Sequence, residues 1–480
     1  MKIKNINNIV KYINTTIVVL TFTACSLPSY LVQRSENKKV PSNYNNLNDT
    51  LNSAKTKWKD FFSDQNLIAL IDGALKNNQD LNIVLQDINI AKNEVRGRKG
   101  AYLPNVGIGV GAGVAKTPKY TSQGASDAVN DITPGQKVPE VLPNYAFGLG
   151  VSWEVDIWKK LRNAKNSAVA KYLSSIEGKN FIVTQLISEI AKSYNELMAL
   201  DNQLEILKQN IEIYQNSLEI VKLQKQSAKV TELAVRRFEA EVLKTQSRQF
   251  YFMQQITETE NRINFLVGRF PQPVTRSSAT FTNLKPDTIS AGIPSQLLSN
   301  RPDIKQAELD LSAAKLDVKA AKANFYPSLI INAGLGYQAF NPSYLINPQS
   351  LLYSIAGNLV APLINRNAIK ANYYSANSKQ IQAVYNYERT ILKAHIEVIN
   401  QLSNINNLKQ SYNLKEKQVL ALNESIDIST NLFKSARADY MEVLLTQRDA
   451  LEARIELIET KKMQMNANVT IYRALGGGWK

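Results

Sequence analysis

The stretch Tyr145-Ala146-Phe147-Gly148-Leu149-Gly150-Val151-Ser152-Trp153 alternates large apolar side chains with small residues. Successive side chains of a β-strand point to opposite faces, so this pattern predicts a strand with one apolar face and one face of small residues. Val106, Ile108 and Val110 alternate with glycines in the same way. Each predicted strand has about ten residues, which is the length of a tilted strand that crosses a bilayer.

Two further strands are predicted later in the chain, where alternation is weaker around Leu329 to Leu335 and around Tyr353 to Leu359. Aromatic residues lie near the strand ends, as they do at membrane interfaces: Tyr102, Trp158, Phe325 and Tyr326. Two hairpins packed on a soluble core are the alternative interpretation.

An open sheet of four strands cannot lie in lipid, because its edges leave backbone groups unpaired. Two copies of the chain would supply about eight strands, a barrel filled by its own side chains. Three copies would supply about twelve strands and leave room for a lumen. We therefore expect a homotrimer.

Two very long helices are predicted, at about residues 160–226 and 366–433, each roughly 100 Å long. Apolar residues recur at steps of three and four along both, which is a heptad pattern, and Asp201 fills one apolar position of the first. The single histidine, His395, falls on the second pattern, so we interpret it as a packed residue and not a catalytic one. Shorter helices are predicted at about 64–101 and 230–268.

The chain contains an internal repeat. Residues 75–104 match residues 298–327 at an offset of 223, and at an offset of 208 Val235 matches Val443 and Gly268 matches Gly476. Each half is predicted as helix, strand, loop, strand, long helix, turn and helix, and the first loop is 17 residues longer. The predicted segments are a signal peptide (1–24), a lipidated tether (25–63), the first repeat (64–268), a linker (269–293), the second repeat (294–476) and a tail (477–480).

Composition excludes several classes of protein. The 480 residues include one Cys and one His, too few for a disulfide framework, a zinc site or an iron–sulfur cluster. The net charge of +16 is spread along helical segments without a basic run, which disfavours nucleic-acid binding. No acid–base or nucleophile constellation is visible, so we predict no enzyme activity and no cofactor.

The N-terminus resembles a secretory signal, with lysines followed by a short apolar stretch that ends at Ala24-Cys25. Phe22-Thr23-Ala24-Cys25 resembles a bacterial lipoprotein box, which makes Cys25 the predicted lipid attachment site. An ordinary cleaved signal with an incidental Cys is the alternative. Ser26 follows the Cys, and by resemblance to sorted lipoproteins it favours the outer membrane over the inner membrane.

Four segments carry a family resemblance: Trp58-Lys59-Asp60-Phe61-Phe62, residues 293–304 with Arg301-Pro302-Asp303-Ile304, residues 320–328, and Tyr472-Arg473-Ala474-Leu475-Gly476-Gly477-Gly478-Trp479. The chain resembles the TolC-type outer-membrane factors, in particular the lipoprotein branch that serves multidrug efflux pumps. That resemblance implies a mainly α fold with a transmembrane β part. Three chains would form a 12-stranded barrel that continues as an α-helical barrel. It implies no catalytic centre, and it implies as partners a periplasmic adaptor and an inner-membrane transporter of the RND type.

Two places in the sequence are candidate sites. The hairpin tips, where adaptors dock in relatives, fall at Ala228 and Ala436, where family members often have Gly. Just past the second tip, Met441, Glu442 and Leu445 lie within about one helical turn. Three-fold symmetry would make each a ring of three, so we predict a mainly apolar entrance constriction with Glu442 as the nearest acidic ring. The alternatives are tips that are merely solvated turns, and a Glu442 that only faces solvent or a lysine.

The leading functional hypothesis is an outer-membrane channel of a tripartite efflux system that conducts drugs or other small molecules to the outside. A type I protein-secretion channel has the same architecture and is the first alternative. A non-conducting, envelope-spanning coiled-coil protein is the second, and conductance in planar bilayers distinguishes it from a channel.

Overall fold

The structure is a computed structural model that describes residues 34–44, 51–286, 289–362, 364, 366–435 and 437–479. The predicted signal peptide and Cys25 lie outside the described residues, as does Ala436. The described chain divides into two compact units. The first unit comprises residues 34–35, 89–172 and 309–385, and the second comprises residues 36–88, 173–308 and 386–479.

Long α-helices dominate the described residues. In chain order the α-helices are α1 (Trp58–Phe61), α2 (Gln65–Asn77), α3 (Gln79–Tyr102), α4 (Ser122–Val129), α5 (Lys160–Gln226), α6 (Glu232–Val267), α7 (Ser295–Asn300), α8 (Pro302–Ala323), α9 (Asn367–Lys434) and α10 (Tyr440–Ala474). Short 3₁₀-helices cover Ser53–Lys55, Ser278–Asn283, Pro342–Tyr344 and Pro348–Ser350. None of these helices is both long and apolar enough to cross a membrane.

The first unit contains a four-stranded antiparallel sheet. Its strands are β1 (Asn105–Ala115), β4 (Leu142–Val155), β5 (Ser328–Ala339) and β6 (Leu351–Val360), in the order β1-β4-β5-β6. The loop between β1 and β4 folds into α4 and a small hairpin of β2 (Asp131–Thr133) and β3 (Gln136–Lys137), which the sequence pattern did not predict.

The predicted single helix at 64–101 is wrong, because the chain breaks there into α2 and α3. Asn78 sits at the break, where its ψ of 128° is not helical. Its side-chain oxygen accepts a hydrogen bond from the Leu81 N–H at 2.9 Å and so caps the start of α3. Its side-chain nitrogen donates to the Leu266 carbonyl at 2.9 Å, which ties the break to the end of α6.

The core of the second unit lies where α5 passes between other helices. Tyr194, Leu197 and Ile190 of α5 are fully buried with Ile71 of α2, Ile263 of α6 and Tyr472 of α10. A second cluster along the same helices contains Leu207, Tyr214 and Phe238. Each fully buried Leu or Ile contributes about 1.5–3 kcal/mol, so the apolar positions of the predicted heptad pattern hold the long helices together.

Candidate functional site

The sheet of the first unit has two chemically different faces. The registers between the four strands place most apolar positions on one face, as in the row Val110, Phe147, Tyr337 and Leu351. The opposite face carries mainly small and polar residues: Gly107, Gly109, Gly111, Gly148, Gly150, Ser152, Asn332, Gly334, Gly336 and Ser354. Its apolar exceptions are Ile330, Leu352 and Val360. A sheet with this division can place lipid on one side and water on the other.

Glycine allows the centre of the sheet to pack tightly. Gly148 of β4 lies opposite Gly336 of β5 on the face of small residues. A Cβ on Gly148 would lie 2.7 Å from the Leu335 carbonyl oxygen, and one on Gly336 would lie 2.4 Å from the Phe147 carbonyl oxygen. On the apolar face, the rings of Phe147 and Tyr337 stack with centroids 5.5 Å apart.

Asp156 fixes the point where β4 ends and α5 begins. Its carboxylate accepts hydrogen bonds from the Leu161 and Arg162 backbone N–H groups, both at 2.9 Å, and from the Arg162 guanidinium at 3.1 Å. Burial alone would raise the pKa of this carboxyl, but the hydrogen bonds and charge of Arg162 outweigh it, so the pKa is lowered. The junction between strand and helix is therefore held by a charged cap.

Aromatic residues surround the same junction. The Trp158 ring stacks on the Tyr326 ring with centroids 4.6 Å apart, and the Trp158 indole N–H donates to the Pro327 carbonyl at 2.8 Å. The Trp153 indole N–H donates to the Tyr102 carbonyl at 3.2 Å. Each indole has an apolar body and one satisfied polar group, which is the arrangement that suits a membrane interface.

The first predicted tip residue, Ala228, has a left-handed backbone. Its φ is +56°, a region that a residue with a Cβ enters at a cost of about 1–2 kcal/mol. The Ala228 N–H donates to the Lys225 carbonyl and the Lys229 N–H donates to the Gln224 carbonyl, both at 2.9 Å, and these two bonds define a Schellman turn. At the second tip the Arg437 N–H donates to the Leu432 carbonyl at 2.8 Å, so this bond also joins residues that are five positions apart.

The three predicted entrance residues have different surroundings. Met441 is half-buried against α6, and its sulfur accepts a hydrogen bond from the Arg237 guanidinium at 2.8 Å. Glu442 is exposed, and Leu445 is 38% exposed. The structure brings Met441 to α6, whereas the Glu442 carboxylate forms no hydrogen bond or ion pair within the described part of the chain. A ring of these residues needs further copies of the chain, so the constriction stays a prediction.

Ion pairs join the helical hairpins, and sequence reasoning missed them. Arg248 of α6 pairs with Glu452 of α10 at 2.5 Å, and Lys462 of α10 pairs with Glu196 of α5 at 3.1 Å. Charge periodicity along one helix does not reveal a partner on another helix. In the sequence, only Asp201 indicated a buried ion pair, because it places a carboxylate at an apolar position of the heptad pattern.

His395 is packed, in agreement with the sequence-based interpretation. Its ring stacks on Tyr44 with centroids 5.4 Å apart, and its Nδ1 is buried without a hydrogen-bond partner. Burial lowers the pKa of His395. Among the described residues no group of three or more His, Cys, Asp or Glu side chains is placed to hold a metal ion.

Known proteins are similar to this chain in sequence and in fold. The family model for outer membrane efflux proteins matches residues 70–269 and 293–477. The solvent efflux pump outer membrane protein SrpC of Pseudomonas putida is 27% identical over 435 residues, which cover 89% of this chain and 88% of SrpC. The cation efflux system protein CusC of Escherichia coli (strain K12) is 27% identical over 474 residues, with coverage of 96% and 98%.

A solved structure gives the same result for the fold. The structure of the open state of the Neisseria gonorrhoeae MtrE outer membrane channel superposes with a TM-score of 0.82 at 21% identity, and the match covers 95% of this chain and 98% of MtrE.

Proposed function

The chain belongs to the outer membrane efflux protein family, and from this premise we propose that it forms the outer-membrane channel of a tripartite efflux system. The main support for this proposal is the sheet with two chemically different faces. Its apolar face is suited to lipid, and its face of Gly, Ser and Asn is suited to a water-filled lumen. The substrates would be drugs or other small molecules, passed on by an inner-membrane transporter of the RND type and a periplasmic adaptor.

The edges of the sheet support closure with further copies. β1 and β6 form the two edges and run antiparallel to each other, since every neighbouring pair in the sheet is antiparallel. Pairing β6 of one copy with β1 of the next therefore continues the antiparallel pattern. Pairing β1 with β1 antiparallel would send the adjoining helices of the two copies to opposite ends of the sheet. Head-to-tail pairing of three copies gives the proposed barrel of about twelve strands.

Lipid attachment at Cys25 is part of the proposal, although Cys25 lies outside the described residues. An anchor at the N-terminus would hold the chain to the outer membrane before the barrel closes. Cys25→Ser should abolish incorporation of labelled acyl chains, whereas Ser26→Ala should leave it. Retained acyl label in Cys25→Ser would refute attachment there.

The hairpin tips are the proposed docking point for the adaptor. At the first tip, exposed charged residues flank Ala228, and Glu232 pairs with both Lys225 and Arg236. A helical hairpin of an adaptor could continue the heptad packing there. Bulky residues at Ala228 or Ala436 should block export without preventing assembly, and wild-type export by both variants would argue against docking at the tips.

Three measurements test the proposed function. The mass of the protein in mild detergent should be that of three chains, and a stable monomer or dimer would contradict the barrel. Deletion of the gene should sensitise the cells to small toxic compounds, and the wild-type gene should restore resistance. Crosslinking in intact cells, followed by purification of this chain, should recover one adaptor and one transporter.

A further inference from the structure

An exposed apolar patch lies at the C-terminal end of α6. Phe265 and Phe270 are 70% and 92% exposed, and they line a cavity of about 430 Å³. Gly268 lies between them with φ +77°, and a Cβ there would lie 2.4 Å from the Asn77 carbonyl oxygen. The backbone of this turn is therefore fixed against the end of α2. Two aromatic rings on a fixed turn form a preorganised contact surface.

The corresponding turn in the second half of the chain is covered. The offset of 208 that relates Gly268 to Gly476 also relates Phe265 to Arg473 and Phe270 to Gly478. The Arg473 guanidinium donates to the Gln185 side-chain oxygen at 2.7 Å. A Cβ on Gly478 would lie 3.8 Å from the Cβ of Thr184. The turn of the second half thus packs against α5, the long helix of the first half.

The same offset aligns the two long helices. Five apolar residues of α5 correspond to four apolar residues and one histidine on α9. In order, Val183, Ile187, Ile190, Tyr194 and Leu197 correspond to Ile391, His395, Val398, Leu402 and Ile405. Thr184 and Gln185 are the residues of α5 that contact the turn of the second half. At the same offset they correspond to Leu392 and Lys393 on α9. Leu392 is 60% exposed, and Lys393 is also exposed.

Contacts between the helices place these two surfaces apart within the described part of one chain. In the second unit α6 contacts α5 (Arg262 to Ser193, 3.0 Å), α5 contacts α10 (Asn195 to Asn466, 3.1 Å), and α10 contacts α9 (Lys415 to Glu456, 2.8 Å). Nearer the tips α6 also contacts α10 directly, through Arg248 and Glu452 at 2.5 Å. At the level of the turn around Gly268, however, α5 and α10 lie between α6 and α9, so α6 and α9 are the two ends of a row there.

Both ends of the row carry exposed apolar residues. On α6 these are Leu243, Phe250, Tyr251, Met253 and Phe265, and on α9 they are Leu392, Ile396, Leu414, Leu420 and Ile428. When the row closes head to tail, α6 of one copy lies beside α9 of the next, just as α10 lies beside α5 within the chain. The internal repeat therefore indicates that a second copy of the chain covers the apolar patch at Phe265 and Phe270.

We propose that Phe270 and Phe265 of one copy pack against Leu392 and the aliphatic part of Lys393 of the next copy. This contact is the between-copy equivalent of the one that Gly478 and Arg473 make with Thr184 and Gln185 within the chain. The contact between copies is the more apolar of the two. Phe270 takes the place of Gly478, and the exposed Leu392 takes the place of the buried Thr184. The inference rests on the proposed closed ring of copies and adds the residues that join one copy to the next.

A disulfide tests the contact directly. Disulfides need Cβ atoms about 3.8 Å apart, the distance found between Thr184 Cβ and a Cβ on Gly478. The full-length variant Phe270→Cys/Leu392→Cys, oxidised in membranes, should therefore run as covalently joined dimers and trimers on a non-reducing gel. Each single variant keeps the native Cys25 and should give no such ladder. The matched control, Phe250→Cys/Leu392→Cys, uses another exposed Phe of α6 and should also remain unjoined.

The outcomes separate this proposal from the proposed function. A native mass of three chains without a disulfide in the Phe270→Cys/Leu392→Cys variant would overturn the contact and leave the trimer intact. A native mass of one chain for the wild type would overturn both. If the Phe270→Cys/Leu392→Cys variant has the mass of one chain while the Phe250→Cys/Leu392→Cys control has the mass of three, the contact is supported. As a second measurement, Phe265→Ala/Phe270→Ala should lower the temperature at which the trimer dissociates in detergent, and an unchanged temperature would count against the contact.

Discussion

Asp201 of α5 accepts two hydrogen bonds from the Arg276 guanidinium, at 2.6 Å from Nε and 2.9 Å from Nη2. The same guanidinium pairs with Glu260 of α6. Through Arg276 the linker at 269–293 is fastened to both helices of the first hairpin. This pairing explains why a carboxylate occupies an apolar position of the heptad pattern.

Removing the Arg276 side chain should destabilise the protein. All three partners are mostly buried, so Arg276→Ala leaves two carboxylates unpaired and should cost about 2–4 kcal/mol. A lowered unfolding temperature in detergent would report the loss. The control is Arg236→Ala, which removes exposed ion pairs at the first tip and should leave the unfolding temperature unchanged. Equal effects of the two variants would contradict the role given to Arg276.

The long helices and their packing were predictable from sequence because each depends on local periodicity. The bounds of α5 agree with the prediction of 160–226. The break at Asn78 was missed because it depends on the Leu266 carbonyl, which is distant in sequence. The folded loop with α4 was missed for a related reason. Its turn brings Gly124 so close to Pro118 that a Cβ would lie 2.1 Å from the Pro118 oxygen, and no periodic pattern signals such a contact.

The candidate site was predictable only in part. The Arg301-Pro302-Asp303-Ile304 motif was recognised as a family feature, but its physical role appears only in three dimensions. The buried Arg301 guanidinium donates to Asp303 at 2.7 Å, to Glu397 at 2.9 Å and to the Ala474 carbonyl at 2.7 Å. It thus joins the start of α8 to α9 and to the end of α10. Partners so far apart in sequence cannot be paired from one chain's periodicity.

Strain at the first tip gives a prediction with opposite signs at two alanines. Ala228 has φ +56°, so Ala228→Gly should relieve strain and stabilise the hairpin by about 0.5–1 kcal/mol after the entropy of Gly is counted. Ala240→Gly, at an exposed position inside α6, should destabilise it by about 1 kcal/mol. Hydrogen exchange of the hairpin amides measures both changes. Faster exchange in both variants would show that Ala228 is not strained.

Asp156 should make stability depend on pH. Because its pKa is lowered in the folded state, its stabilisation is present above the unfolded pKa of about 3.9 and is lost as pH falls through the folded value. Asp156→Asn should therefore be less stable than wild type at pH 7, by about 1–3 kcal/mol, and the difference should shrink toward pH 3. Unfolding temperatures of both proteins across this range provide the test. A constant difference would contradict the charged cap.

The proposed entrance gives a prediction about conductance. Met441→Ala/Leu445→Ala should raise the resting conductance in planar bilayers, because two apolar rings would be removed from the constriction. Glu442→Gln should lower the preference for cations, since a ring of carboxylates favours them. Leu233→Ala, an exposed apolar residue near the first tip, is the control and should change neither property. If the double variant conducts like the wild type, the constriction lies elsewhere.

If the two faces of the sheet separate lipid from a conducting lumen, neighbouring residues on β5 must differ in their access to water. Asn332 lies on the face of small and polar residues, and Ile331 lies on the apolar face. In planar bilayers, a charged thiol reagent should reduce the conductance of Asn332→Cys channels and leave Ile331→Cys and wild-type channels unchanged. A wild-type protein that does not conduct, or a block of Ile331→Cys without a block of Asn332→Cys, would show that the sheet does not line a conducting lumen in this way.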